Sequence, residues 1–371
     1  MSKISEKSLP SAHQDADAAI IGVDLGKTVF QLCVADSAWR VTGTLRLSRT
    51  QFERYFINRR VALVVMEACA TSHHWARWMA NLGIEVRLIP AQYVRAYVRR
   101  NKTDAADAAA LLEAARSPDI RSVRVKSIEQ QALQCLHRTR SIWVATRTAR
   151  INALRGFCRE FGIAFARGSK RGIDQIARVV ADTQSPLPNL LRGTMGLMVE
   201  EIRQLEARIA QLERDLADLA RHSPACKTLL SIPGVGLITA TALVAATAGD
   251  VTHFTSARHF GSWLGLTPRE HSSANSRHLS GISKRGDRYL RVLLTHGARS
   301  VLRTAAVAQN AGKPLDRMRA WAMELQARAN HNKAACALAN KMARICYATL
   351  RDHSPYETHA AVSPAATPVA A

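Results

Sequence analysis

Long apolar runs are missing from this chain of 371 residues. The longest, LITATALVAATAG from Leu237 to Gly249, falls well short of the ~20 residues that a membrane-spanning helix needs. A basic-then-apolar leader is missing as well, so export is not expected. No C-x-x-C pair occurs. The seven cysteines (Cys33, Cys69, Cys135, Cys158, Cys226, Cys336 and Cys346) are scattered and odd in number, a pattern of reduced thiols rather than of a disulfide framework or a zinc ribbon. Cys69 with His73 and His74 comes nearest to a ligand cluster, but no second pair completes it. Acidic residues are scarce: 29 stand against 52 lysines and arginines, a formal charge of +23. Such an excess favours a polyanionic partner, and nucleic acid is the expected one.

What is present divides along the chain. Residues 1–17 are polar and 354–371 are rich in Ala, Pro, Ser and Thr, so both ends are expected to be mobile. From residue 18 the pattern is that of strands: AAIIGVD, TVFQLCVAD and WRVTGTLRL, separated by turn signals that suit an antiparallel meander. A helix over Thr50 to Asn58 follows. VALVVME (Val61 to Glu67) is too short and too β-branched for a buried helix and reads as a strand covered on both faces. TSHHWARWMANLG is a helix, EVRLI a strand, and TDAADAAALLEAAR a helix opening at Thr103. Residues 18–165 therefore form an α/β domain ending in a long helix with Arg138, Arg140, Arg147, Arg150, Arg155 and Arg159.

Residues 166–222 read as a linker and then a coiled coil. Leu191, Met195, Met198, Ile202, Leu205, Ile209, Leu212, Leu216 and Leu219 alternate by fours and threes, and pairing between protomers is expected along that seam. Residues 223–353 read as an all-helical domain.

Four acids could do chemistry. Asp24 ends an apolar strand, as does Glu67, and Asp104 and Asp107 open a helix three residues apart, hence on one face. Singly, each has an ordinary explanation: D-x-G occurs in turns and in ATPase phosphate loops, and acids suit helix N-termini. No second Asp-x-Gly loop follows. Together they make a carboxylate cage for hard divalent ions, suited to two-metal phosphodiester chemistry. Arg95, Arg99, Arg100 and Lys102 precede the acid pair and could hold a phosphate backbone there.

Further on, Pro233-Gly234-Val235-Gly236 between helical segments suits a helix-hairpin-helix whose Gly234 and Gly236 approach a phosphate, or a glycine-rich helix junction. Ser272 and Ser273 lie in a loop between helices near Arg269, His271, Arg277, Lys284 and Arg285. By composition that stretch reads first as a phosphate-binding loop, and the cations would also favour an attacking alkoxide.

GVDLGKTVF, VVMEACAT, RNKTDAADAAALLEAAR, LLSIPGVG, FGSWLGLTPREHSS and GISKRGDRYLRVLLTHGAR occur in that order. From about Ile20 to Leu350 the chain resembles the DEDD transposases of the insertion-sequence one-ten family, nearest its one-eleven-eleven subgroup. The resemblance implies a RuvC-like domain of RNase H fold in which Asp24, Glu67, Asp104 and Asp107 bind magnesium, two ions per site. It also implies a C-terminal serine that joins covalently to DNA, mapping by spacing onto Ser273, with Ser272 as the second candidate because Ala274 stands where the family has glycine. Donor and target DNA, a structured guide RNA held in part by Arg138, Arg147 and Arg150, and a site shared between copies of a dimer or tetramer are further implications, as is a place at the bacterial nucleoid. A metal nuclease or junction resolvase using water, and a non-catalytic nucleic-acid binder, are the alternatives.

Overall fold

The computed structural model describes residues 19–57, 59–98, 103–165 and 168–358. The N-terminal tail, the end of the C-terminal tail and Arg99, Arg100 and Lys102 lie outside them. The chain divides after Ser127 into two compact units.

The first unit holds a five-stranded sheet of β1 (Ala19–Leu25), β2 (Val29–Ala35), β3 (Val41–Ser48), β4 (Val61–Glu67) and β5 (Glu85–Ile89), in the order β3-β2-β1-β4-β5. β1, β2 and β3 form the expected antiparallel meander, and β4 and β5 add in parallel to β1. This mixed sheet with helices on both faces is RNase H-like.

Strand alternation decides what each face meets. Ile21, Val23, Phe30, Leu32, Val64 and Met66 pack against α1 (Arg49–Ile57) and α2 (Ser72–Asn81). There Phe30 stacks on Phe52 at 4.4 Å and meets the Trp75 ring edge-on at 5.3 Å. The other face carries Ile20, Leu63 and Val65 beneath Ala108, Leu111 and Leu112 of α4 (Asp104–Arg116). A short α3 (Ala91–Val94) and one 3-10 turn (Arg95–Tyr97) lead from β5 towards α4. α4 lies close because Gly22 has no side chain: a Cβ there would stand 2.4 Å from the Ala108 carbonyl oxygen.

The second unit opens with α5 (Ile128–Glu160), a helix that the sequence alone assigns to the α/β domain. Its packing is the reason for the difference, since α5 lies against α7 (Asn189–His222) and α9 (Leu237–Thr247). Arg140–Glu213 at 2.6 Å, Arg147–Glu206 at 3.8 Å and Arg150–Glu201 run in opposite senses along the two helices, so the pair is antiparallel.

The heptad seam is therefore covered within the chain. Met195, Ile202, Leu205, Ile209, Leu212 and Leu216 are buried while Leu219 is exposed, which removes the seam as a reason to expect pairing between protomers. Part of the presumed linker is also helical: α6 (Ser169–Ala181) buries Ile173 and Ile176 against Leu154 and Met195. The Arg192 guanidinium secures its end, donating to the carbonyls of Val179, Val180, Asp182, Ser185 and Leu187.

A second core gathers α8 (Pro224–Leu230), α9, α10 (Ala257–Trp263), α11 (Arg288–Asn310), α12 (Arg317–Arg328) and α13 (His331–Asp352) around Phe260, Leu294, Leu338 and Met342. This region is not all helical. β6 (Pro268–Glu270) and β7 (Leu279–Ile282) form an antiparallel ribbon between α10 and α11. Their residues are almost wholly exposed, so no apolar alternation announces them.

Candidate active site

Sheet geometry brings two acids to one edge. The parallel register sets Val23 beside Met66, and one step further stand Asp24, the last residue but one of β1, and Glu67, the last of β4. Alternation puts Asp24 on the face of Ile20 and Gly22, and Glu67 on that of Leu63 and Val65, so both belong to the face covered by α4. Gly26, after Asp24, is required by the turn itself: a Cβ there would stand 2.1 Å from the Val29 carbonyl oxygen. The D-x-G pattern is thereby explained without a nucleotide phosphate.

The other two acids stand at the start of the same α4. Thr103 caps that helix, its hydroxyl oxygen accepting the Ala106 N–H at 3.2 Å. Asp104 is exposed and Asp107 half-buried in the first turn, where the helix dipole favours negative charge. α4 packs across β1 with Ala108 over Gly22. Among the described residues, no three Asp, Glu, His or Cys side chains converge closely enough to hold a metal ion. Brought together, four carboxylates with no thiolate or imidazole would suit a hard cation.

Cys69, His73 and His74 do not form a metal site. The buried His73 Nδ1 accepts the Lys126 backbone N–H at 3.2 Å, and Arg77 donates to the Lys126 carbonyl. Burial, then Lys126 and Arg77, lower the His73 pKa to about 4, so its ring is neutral.

The candidate serines stand on the β6–β7 ribbon rather than in an open loop. Ser273 and Ser276 exchange backbone hydrogen bonds, Ser273 N–H to Ser276 O at 3.1 Å and Ser276 N–H to Ser273 O at 3.0 Å, closing a two-residue turn at Ala274 and Asn275. Ala274 takes φ of +46°, a left-handed conformation that a Cβ disfavours.

The two hydroxyls differ. Ser272 Oγ donates to Glu270 Oε1 at 2.7 Å and accepts the His278 N–H at 3.3 Å. Ser273 Oγ is exposed and has no hydrogen bond among the described residues. Glu270 also accepts from Arg277 Nε at 3.1 Å. The Ser272 hydroxyl, and then the Arg277 charge, hold the Glu270 carboxyl below its usual pKa. Sequence reading missed Glu270, whose signal was the cross-strand pairing of an acid with Arg277.

The root of the ribbon is stitched tightly. Ser283 N–H donates to Thr267 O at 2.8 Å and Lys284 N–H to Gly265 O at 3.1 Å. A Cβ on Gly265 would stand 1.9 Å from the Arg285 carbonyl oxygen, and one on Gly286 1.9 Å from that of Trp263. Beyond this root, Asp287 caps α11, and Tyr289 hydrogen-bonds the buried His137 at 3.1 Å. Burial, then Arg140, lower the His137 pKa to about 4.

The basic residues divide in the same way. Arg95, Arg138, Arg269, Lys284 and Arg285 are exposed, whereas Arg147 and Arg150 are engaged with glutamates of α7. Gly234 is accounted for by packing: it has φ of +86°, and a Cβ there would meet Val301 Cγ2 at 2.7 Å and the Gly297 oxygen at 2.9 Å. Gly236 is exposed, with open space where its Cβ would be.

Comparison with known proteins divides the chain differently, keeping α5 with the α/β region. Residues 21–162 match a family model described as a DEDD transposase, and residues 226–312 match one described as the transposase IS116/IS110/IS902 family. A probable family 20 transposase of Pseudomonas aeruginosa is 44% identical over 91% of this chain and 98% of its own. The transposase for insertion sequence element IS1111A of Coxiella burnetii is 38% identical over 92% of each. A pilin gene-inverting protein of Moraxella bovis is 24% identical over 91% of this chain and 97% of its own.

Proposed function

The chain belongs to the IS116/IS110/IS902 family of transposases, enzymes that act on DNA, and from that premise we propose that it cuts and rejoins DNA through a covalent link to Ser273. The observation that carries the choice of residue is the contrast between the two hydroxyls. Ser272 is committed to Glu270 and to the His278 N–H, while Ser273 stands exposed at the turn with its oxygen unengaged.

Ser273 Oγ attacks phosphorus, its proton passes to solvent, and the displaced strand-end oxygen departs as an alcohol. A phosphodiester between serine and DNA replaces the one broken. A second strand end can then attack that link and release the serine, so bond number is conserved and no energy source is needed. Arg269, Lys284 and Arg285, exposed on and beside the ribbon, neutralise the phosphate. The pilin gene-inverting protein carries a name that describes a rearrangement of the same kind.

Asp24, Glu67, Asp104 and Asp107 would hold hard divalent cations, the class that an all-carboxylate set suits, and the ion we assign is the Mg²⁺ that the family resemblance implies. When bound, such ions supply Lewis-acid polarisation of a phosphate oxygen. The acids stand in one unit of the chain and Ser273 in the other, which suits a site composed from two copies in a dimer or tetramer. A structured RNA is the partner assigned to the outer face of α5. There Arg138 and Arg159 are exposed and have no ion-pair partner among the described residues.

The test is to isolate protein-linked DNA, digest both components and locate the attached nucleotide by mass spectrometry. A nucleotide on Ser273 is expected. One on Ser272, or cleavage with no protein-linked product, overturns the assignment, the latter in favour of hydrolysis by water.

A further inference from the structure

The path from β5 to α4 carries two aromatic rings that the fold covers only in part. Tyr93 is 46% exposed and Tyr97 39% exposed. They lie four residues apart on the continuous run formed by α3 and the 3-10 turn. Neither ring packs on another ring, and neither hydroxyl makes a hydrogen bond, among the described residues.

Between them Arg95 is exposed and has no ion-pair partner among the described residues. The segment is nonetheless anchored: Val94 is buried and Val98 packs in the core beneath α4. Its position is fixed at both ends. It starts just after Ile89, the register partner of Glu67, and it packs against α4, the helix that begins with Asp104 and Asp107.

Large rings left in water cost solvation free energy unless a partner covers them. In a chain of charge +23, two rings four residues apart on one face of a helical run are an arrangement by which proteins hold unpaired nucleotides, the bases stacking on the rings. A paired duplex hides its base faces in its own stack and offers these rings little. We infer that Tyr93 and Tyr97 form a stacking platform for unpaired bases of the DNA strand presented to the four acids, with the exposed Arg95 of the same segment available to a phosphate of that strand. This rests on reading that acidic face as the strand-cutting site.

The experiment measures binding without cleavage, using full-length protein carrying Ser273→Ala in buffer free of divalent cations and a fluorescent single-stranded oligonucleotide, its duplex, and the RNA strand of the same sequence. Replacing Tyr93 and Tyr97 by Ala should weaken single-stranded DNA binding by roughly 5- to 150-fold per ring. Phe at both positions should restore it to within about threefold, since stacking needs the ring and not the hydroxyl. Duplex affinity should stay unchanged. So should the salt dependence, because no phosphate contact is removed, whereas Arg95→Gln should reduce the single-strand salt slope by about 0.7.

The platform is overturned if the Ala variants bind single-stranded DNA as the parent does, if Phe fails like Ala, if duplex binding falls equally, or if the parent binds no single strand. A loss confined to RNA reassigns the surface away from the DNA strand. A change in oligomer mass with DNA binding intact makes it a protein contact. Because no adduct is scored, failure of the Ser273 assignment would leave these readings intact.

Discussion

The acidic edge and the serine ribbon are positioned by opposite means. Asp24 and Glu67 inherit their places from a sheet buried on both faces, and Asp107 from a helix locked over Gly22. The whole first unit would have to deform to move them. Ser273 stands at the turn between two short exposed strands that contribute almost nothing to a core. Its place is set by local hydrogen bonds through Glu270 and Ser272 and by the steric lock at Gly265 and Gly286. In the proposed reaction the metal ligands would stand on the rigid element and the nucleophile on the element held by few bonds.

That contrast breaks most readily at the ribbon's root. Gly286→Ala puts a methyl group 1.9 Å from the Trp263 oxygen at φ of +92°, so the ribbon must leave its anchor. Adduct formation should be lost, and the second unit should be destabilised by roughly 2–4 kcal/mol, read from denaturant unfolding.

Next in size is Glu270→Ala, which releases Ser272 and Arg277 together. A nucleophile displaced by about 1 Å can lose roughly 100-fold in rate, so a slowed adduct with an unchanged melting temperature is expected. A fall in melting temperature instead would mean that the ribbon supports the core. Glu270→Gln keeps an acceptor for Ser272 and should lie between the two.

Acid should affect the two units alike. His73 in the first and His137 in the second have folded pKa values lowered from the usual 6.5 to about 4. Each unfolded histidine therefore binds a proton that the folded one refuses between those values. The stabilisation is complete above the usual pKa and lost as pH falls towards 4, costing about 2 kcal/mol per histidine by about pH 5. Urea midpoints at neutral and mildly acid pH check this, and His73→Gln and His137→Gln should each flatten the slope.

The smallest effect belongs to Ala274→Gly. Glycine accepts φ of +46° without a Cβ penalty, so adduct formation should be unchanged or a few-fold faster, and a loss would show that the alanine methyl is needed.

Much of the first unit was legible because its signals are physical necessities. VALVVME had to be a strand covered on both faces, and the meander showed in its alternation and turn residues. The edge shared by Asp24 and Glu67 followed from strand ends, and the α4 pair from helical spacing.

The second unit was read less well. The seam of α7 was visible, but periodicity states only that a face is apolar and not what covers it; α5 of the same chain does so. α6 was obscured by Gly172 and by the Ser and Pro residues around it. The β6–β7 ribbon left no apolar pattern, since backbone pairing and Glu270 hold it rather than burial. The arginines of α5 showed as charge, while the glutamates opposite Arg147 and Arg150 emerged only once the helices were paired.

The most direct measurement is a denaturing gel for protein-linked DNA, run with Mg²⁺ on the unmodified chain and on its Ser272→Ala, Ser273→Ala and Asp24→Asn variants. The account predicts an adduct in the first, a slowed one in Ser272→Ala, and none in the other two. An adduct that survives Ser273→Ala, or one formed undiminished by Asp24→Asn, would contradict it.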